Sequence, residues 1–120
     1  MKIRIDPLDK LFSSYIRARD NVCQRCGSSG NLGSLQCAHF FGRARRSTRW
    51  DEENACALCF GCHQYFGSHP LEFVEWFKAR LGDSFELLEG RMRITYPRPD
   101  KELLTLYFKA KIKELVEIQE

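Results

Sequence analysis

Long apolar runs are missing from this sequence of 120 residues. No stretch approaches the roughly 18 consecutive apolar residues that indicate a membrane-spanning helix, so we expect a soluble protein with no membrane partner. Met1 leads into charged residues rather than an apolar segment, which disfavours a secretory signal and favours a cytoplasmic location. Internal repeats and low-complexity tracts are also missing. The length predicts a single domain over residues 1–120.

Cysteines, by contrast, are numerous, with six in the chain. Four of them form two Cys-x-x-Cys pairs, Cys23/Cys26 and Cys59/Cys62. Two such turns can present four thiolates to one ion, which is typical of a structural zinc site with no open position. Disulfides are the alternative, but they suit secreted chains. The other two cysteines, Cys37 and Cys56, lack ligand spacing, and we expect them to be small buried residues.

Three further polar residues lie between the two cysteine pairs or directly after the second pair. Asn54 follows His39 by fifteen residues, and His63 follows Asn54 by nine. Each has an ordinary explanation: His39 as a hydrogen-bonded structural histidine, Asn54 as a turn residue, and His63 as an exposed cap or a substitute zinc ligand. Catalysis is the other explanation, because a neutral imidazole can accept a proton near neutral pH.

The run from Asn54 to His63, NACALCFGCH, together with His39, resembles the HNH nucleases. The resemblance covers residues 22–66 and is closest to phage recombination endonucleases of the NinG/Rap kind. It implies an α+β fold with a zinc-braced ββα-metal core that is similar to a treble clef. Helical flanks are then expected over residues 7–20 and 70–120.

The resemblance also implies an activity and a role for each residue. The activity is metal-dependent endonucleolytic cleavage of DNA in phage recombination or DNA processing, with branched DNA as a candidate substrate. His39 would be the general base, and His63 would bind a catalytic Mg²⁺ or Mn²⁺. Asn54 would either bind that ion or fix the loop that carries His39.

One position departs from the family pattern. Ala38 lies directly before His39, where many HNH proteins carry Asp or His as a further metal ligand. Three residues are candidates to replace that ligand: Cys37, Asp51 and His69. The departure makes a catalytically inactive, zinc-stabilised nucleic-acid-binding module the alternative function.

Positive charge is concentrated in the first part of the chain. The formal charge is +3, but residues 1–50 hold ten Lys/Arg and three Asp/Glu, whereas residues 51–120 hold nine and thirteen. Four arginines lie between His39 and Asn54: Arg43, Arg45, Arg46 and Arg49. Arginine binds phosphate oxygens in pairs, so we predict that this loop contacts the DNA backbone. A solvated basic loop is the alternative.

Hydrophobic periodicity and capping residues predict the remaining elements. Four longer helices are expected, over residues 7–19, 70–81, 84–92 and 100–119. Strands are expected over 35–41, which carries His39, and over 55–58, and a short helix is expected to begin at His63. A brief alternation at residues 2–5 and a turn at 28–33 complete the prediction.

The last predicted helix carries an apolar stripe formed by Leu104, Phe108, Ile112 and Leu115. We expect the stripe to pack against the domain. A homodimer or partner contact is the alternative, and an interaction protein that uses this helix is a third hypothesis for the function.

Overall fold

The computed structural model describes residues 5–29 and 35–119. Its elements are α1 (Pro7–Asp20), β1 (Gln36–His39), a 3₁₀ turn (Glu52–Asn54), β2 (Ala55–Leu58), α2 (Phe60–Ser68), α3 (Pro70–Leu81), α4 (Ser84–Arg93) and α5 (Lys101–Gln119). Helices therefore surround a small antiparallel sheet, as the predicted α+β class requires. The alternation predicted at residues 2–5 and the turn predicted at 28–33 fall largely outside the described residues.

The two strands form an antiparallel pair in which His39 lies opposite Ala55 and Gln36 lies opposite Leu58. Successive side chains of a strand point to opposite faces of the sheet. Ala38 packs into a cluster with residues of α2, α3 and α4, whereas Cys37 packs against a cluster formed mainly by α1 and α5. The sheet therefore separates two cores, which we call the cysteine-side core and the histidine-side core.

Aromatic rings fill the cysteine-side core. Phe77 is fully buried, and its ring stacks on Phe40 with a centroid distance of 4.8 Å. Phe66 of α2 and Leu88 of α4 complete the contact between the helices and the sheet. Each such side chain contributes about 2 kcal/mol by leaving water, so this face orders α2 to α4 around the strands.

The histidine-side core is formed where α5 crosses α1. Phe12 of α1 and Phe108 of α5 are almost fully buried and meet edge to face at 5.1 Å. The other residues of the predicted stripe, Leu104, Ile112 and Leu115, pack against the same cluster. Internal packing of the stripe is thus confirmed, and this face of α5 is occupied by its own chain.

Side-chain capping explains where α1 and α5 begin. Asp6 Oδ1 accepts a hydrogen bond from Leu8 N at 2.9 Å, and Pro7 follows as the first helical residue. Asp100 Oδ1 accepts from Leu103 N at 3.1 Å at the start of α5. Of the helices in the described ranges, none has the length and apolar character that crossing a membrane requires.

Two predicted boundaries were wrong. The helix expected at His63 begins at Phe60, because Cys59 acts as its N-cap and Cys59 Sγ accepts from Cys62 N at 3.4 Å. The first strand spans Gln36–His39 rather than residues 35–41. It ends early because the next backbone groups bond to Asn54 outside the regular ladder.

Candidate metal centre and histidine loop

The two Cys-x-x-Cys pairs converge on one point in the structure. The Sγ atoms of Cys23, Cys26, Cys59 and Cys62 all lie within 4.8 Å of one another. A tetrahedral zinc with Zn–S bonds of about 2.3 Å needs S–S separations of about 3.8 Å. Cys26 Sγ and Cys59 Sγ are already 3.8 Å apart. The cluster can therefore hold a metal ion such as zinc after only small side-chain adjustments.

Backbone hydrogen bonds shape the first cysteine turn. Cys23 N donates to Ser28 O at 2.7 Å, and Gly27 N donates back to Cys23 O at 2.8 Å. Gly27 has φ of 79°, a conformation that costs glycine little and other residues more. Gln24 N donates to Ala57 O at 3.0 Å, which fastens the turn to β2. These bonds place Cys23 and Cys26 beside the start of α2.

The second pair occupies the N-terminus of α2, where free backbone N–H groups stabilise thiolates. Arg25 adds a charged contact to this pair. Its Nη1 lies 3.5 Å from Cys62 Sγ, and its guanidinium lies 4.3 Å from the Tyr65 ring centroid. Negative charge on a four-thiolate metal site is thus partly compensated by Arg25. Nothing in the cysteine spacing indicated this contact.

Protonation differs between members of the cluster. Hydrogen bonding from the Ser28 hydroxyl and backbone lowers the pKa of Cys26 to about 6, while burial raises the pKa of Cys62 to about 12. Metal binding to four thiolates must therefore release protons, which makes the affinity depend on pH. Outside the cluster, burial raises the pKa of Cys37 and of Cys56 to about 12, as expected for inert packing residues.

His39 ends β1 and faces the histidine-side core. Its ring lies 5.6 Å from the Phe12 ring, and its Nε2 lies 3.1 Å from the carbonyl oxygen of Arg49. Because a carbonyl only accepts, Nε2 carries the hydrogen and Nδ1 keeps the lone pair of the neutral ring. Burial lowers the pKa of His39 below its ordinary value of 6.5. A neutral, oriented imidazole of this kind can accept a proton near neutral pH.

Asn54 closes the loop between the two strands. It is fully buried, and its side-chain oxygen accepts from Phe41 N at 2.8 Å. Its Nδ2 donates to Phe41 O at 2.9 Å and to Thr48 O at 3.0 Å. All three bonds join the loop to itself, so the geometry favours loop fixing over metal binding, the two roles that the sequence left open for this residue.

The four arginines of the loop fall into different environments. Arg49 is bound to Asp9 through two hydrogen bonds, one from Nε at 3.0 Å and one from Nη2. Asp9 also accepts from Trp50 Nε1 at 2.9 Å and lies 3.8 Å from Arg43. Arg45 and Arg46 are exposed and have no carboxylate within 4.0 Å in the described residues. Arg49 is therefore largely structural.

His63 lies in the first turns of α2, on the other face of the sheet. Its Nδ1 contacts Gln36 Oε1 at the start of β1. Since an amide oxygen accepts, Nδ1 carries the hydrogen, and Nε2 keeps a lone pair that a metal ion can use. His63 also lines a cavity of about 380 Å³ together with Gln64, Gly67 and Ser68.

The structure does not bring His39 and His63 into contact. Across the described residues, no hydrogen bond or ring contact joins them, and they face different cores. In the same residues, the four cysteines are the only group of three or more His, Cys, Asp or Glu side chains with metal-ligand geometry. A catalytic ion would thus obtain one histidine nitrogen from the chain and most of its ligands from water and phosphate.

None of the three candidate replacement ligands completes such a site. Asp51 accepts two hydrogen bonds from Arg91, at 2.6 and 3.1 Å. His69 Nδ1 bonds to the Tyr65 carbonyl at 2.8 Å, and Cys37 packs against the histidine-side core. Ala38 itself is buried in the cysteine-side core.

Several residues that fix the site have no recognisable sequence pattern. Asp20 Oδ2 accepts from Ala57 N at 2.8 Å, and Arg19 donates to the carbonyls of Glu52 and Ala55 at 2.8 and 2.9 Å. The end of α1 thereby satisfies the free edge of β2. These contacts hold the strand that connects Asn54 to the second cysteine pair.

Comparison of the chain with known proteins adds no relative to this description. No protein-family model, no curated protein and no solved structure matches the chain. The functional argument therefore depends on the geometry of the cysteine cluster and of the histidine loop.

Proposed function

We propose that the chain is a zinc-stabilised, metal-dependent DNA endonuclease of the HNH type that hydrolyses phosphodiester bonds. The observation that supports this proposal is the position of His39: a half-buried imidazole, oriented by a backbone carbonyl, at the base of an arginine-rich loop. A general base needs a free lone pair and a fixed direction, and both are present here. Phosphate-binding side chains on the same loop supply the complementary charge.

In this proposal the chain's residues divide the work. Nδ1 of His39 takes the proton from the attacking water, and the Arg49 carbonyl stabilises the imidazolium that forms. Asn54 keeps the loop closed, so that the carbonyl and the ring stay in register. His63 offers Nε2 to a divalent ion such as Mg²⁺ or Mn²⁺, which would neutralise charge on the departing 3′ oxygen. The expected products carry 5′-phosphate and 3′-hydroxyl ends.

The lowered pKa of His39 gives the proposal a pH dependence. A base with a pKa below 6.5 is already deprotonated at neutral pH. Cleavage should therefore rise about tenfold per pH unit at acidic pH and level off below pH 6.5, provided that proton transfer limits the rate.

A second candidate function is a nucleic-acid-binding module without catalysis. Two observations favour it: Ala38 replaces a family metal ligand, and His39 and His63 face different sides of the sheet. The cysteine cluster and the arginines would then serve binding alone. The setting in phage recombination and the preference for branched DNA come from the sequence resemblance and belong to the first proposal only.

A nicking assay separates the two functions. Purified protein is incubated with supercoiled plasmid, linear duplex and a four-way junction, in Mg²⁺, in Mn²⁺ and in EDTA. The nuclease proposal predicts cleavage with a divalent ion and none in EDTA. DNA binding without cleavage under every condition would favour the module.

A further inference from the structure

The connection between α4 and α5 brings a cation from a distant part of the chain to the arginine loop. Arg98, on that connection, lines one cavity with Arg45 and Arg46 of the loop. The cavity has a volume of about 350 Å³, and its wall includes Thr95 and Met92. The sequence prediction placed phosphate contacts on the loop alone, so Arg98 is an addition from the structure.

The three guanidinium groups differ from the other arginines nearby. Arg49 and Arg91 are paired with carboxylates, at Asp9 and at Asp51. Arg45, Arg46 and Arg98 are exposed and have no carboxylate within 4.0 Å among residues 5–29 and 35–119. No acidic side chain of these ranges lines their cavity. Three like charges around one concavity repel each other and attract an anion.

Local structure holds two of these arginines in place. Arg98 lies between Pro97 and Pro99, and the following proline restricts its backbone to extended conformations. Arg45 Nη1 lies 3.3 Å from Met92 Sδ, and the Ser47 hydroxyl donates to the Met92 carbonyl at 2.6 Å. These contacts attach the loop to the end of α4. Ordering the backbone around a ligand therefore costs less conformational entropy than it would in a free loop.

We propose that Arg45, Arg46 and Arg98 form a cradle for one backbone phosphate of the bound DNA. The guanidinium forks match phosphate oxygens in pairs, and three cations exceed the charge of a single phosphodiester. Two of the three arginines lie on the same loop as the Arg49 carbonyl that orients His39. This site rests on the proposed DNA-binding function and adds a contact from the α4–α5 connection to it.

The test measures DNA binding without added Mg²⁺ or Mn²⁺, so that no cleavage occurs and the zinc is retained, by fluorescence anisotropy over a range of salt concentrations. Arg98→Ala should weaken binding several-fold and reduce the salt slope by about one, since each phosphate contact contributes about 0.9. Arg98→Lys should retain most of the slope because it keeps the charge. The matched control is Arg93→Ala, which removes an exposed arginine at the end of α4 that pairs with Glu89 at 3.6 Å.

Each outcome decides between the claims. If Arg98→Ala and Arg93→Ala behave alike, or if the wild type binds no DNA at low salt, the cradle is wrong. If the slope falls with Arg98→Ala but the wild type never cuts DNA, the cradle is right and the nuclease proposal fails. Inorganic phosphate at constant ionic strength forms the last arm. Phosphate binding that Arg98→Ala abolishes, while the salt slope of DNA binding stays at the wild-type value, would assign the cavity to free phosphate instead.

Discussion

The two faces of the sheet are stabilised in different ways. On the cysteine side, packed aromatic rings surround four thiols that can share one metal ion. On the histidine side, α1 and α5 pack together, and the loop above them is held by the Asp9–Arg49 pair and by the Asn54 amide. One face has a site that can hold a metal ion, whereas the other is held by hydrogen bonds and charge pairs within the chain.

This difference shows how a short chain can keep His39 apart from the four-cysteine cluster. Side chains alternate along a strand, so the neighbouring positions 38 and 39 face opposite cores. Loss of the metal should damage one core first, and loss of the loop contacts should damage the other. Substitutions on each face test this division, beginning with the largest expected effect.

Removal of a cysteine ligand should have the largest effect. We expect one tightly bound zinc per chain, and Cys59→Ser should abolish it and unfold α2 and the neighbouring turn, because metal binding contributes on the order of 10 kcal/mol to such folds. Elemental analysis and hydrogen exchange measure the two effects. Cys56→Ala is the control, because it removes a buried thiol outside the cluster and should keep the zinc. A folded wild type without zinc would contradict the prediction.

Asn54→Ala should destabilise the chain by about 3 kcal/mol, since it leaves loop groups unbonded in a buried position. Zinc content should stay unchanged, because the loss falls on the loop. Urea unfolding monitored by tryptophan fluorescence gives the change in the free energy of unfolding. Gln64→Ala, an exposed change, should stay within about 0.5 kcal/mol. Equal stability of Asn54→Ala and the wild type would remove the loop-fixing role.

Asp9→Asn should cost about 2 kcal/mol by removing the charge partner of Arg49. Burial by itself would raise the pKa of Asp9, but hydrogen bonds from Arg49 and Trp50 outweigh it and hold the pKa below 3.8. The carboxylate therefore stabilises the fold above pH 3.8, and this contribution is lost as the pH falls through the lowered pKa. Unfolding measured against pH should show this loss in the wild type and not in Asp9→Asn.

The exposed arginines of the loop should show the smallest effect on stability. Arg45→Ala combined with Arg46→Ala should change unfolding by less than about 0.5 kcal/mol, while the salt slope of DNA binding falls by about two. Arg49→Ala should do the reverse and lose stability, because it belongs to the Asp9 pair. An unchanged slope in the double variant would identify the loop as a solvated basic segment.

The sequence predicted those parts of the fold that depend on local spacing. The Cys-x-x-Cys turns, the helix starts at Pro7 and Pro70 and the second strand all follow from short patterns, and the structure has them. The Asp9–Arg49 pair joins residues forty positions apart, and Arg98 is even farther in sequence from the loop arginines with which it lines a cavity. Hydrophobic periodicity does not predict such pairs, because they depend on how α1 and the α4–α5 connection pack against the rest of the chain.

The sequence also could not predict which side of the sheet each histidine faces. Residue spacing placed His39 and His63 in one motif, but alternation along β1 and the early start of α2 direct them to different cores. We propose that His39, as the base, and His63, as the ligand of the ion, act together only on bound DNA.

The most direct test of the proposed activity is the cleavage rate of His39→Ala. We expect wild-type zinc content, fold and DNA affinity in this variant, with cleavage reduced by at least about 10²-fold, as expected when a general base is removed. His69→Ala, which alters an exposed histidine directly after the end of α2, should cut like the wild type. If the wild type cuts DNA and His39→Ala cuts equally well, His39 is not the base and the central claim is wrong.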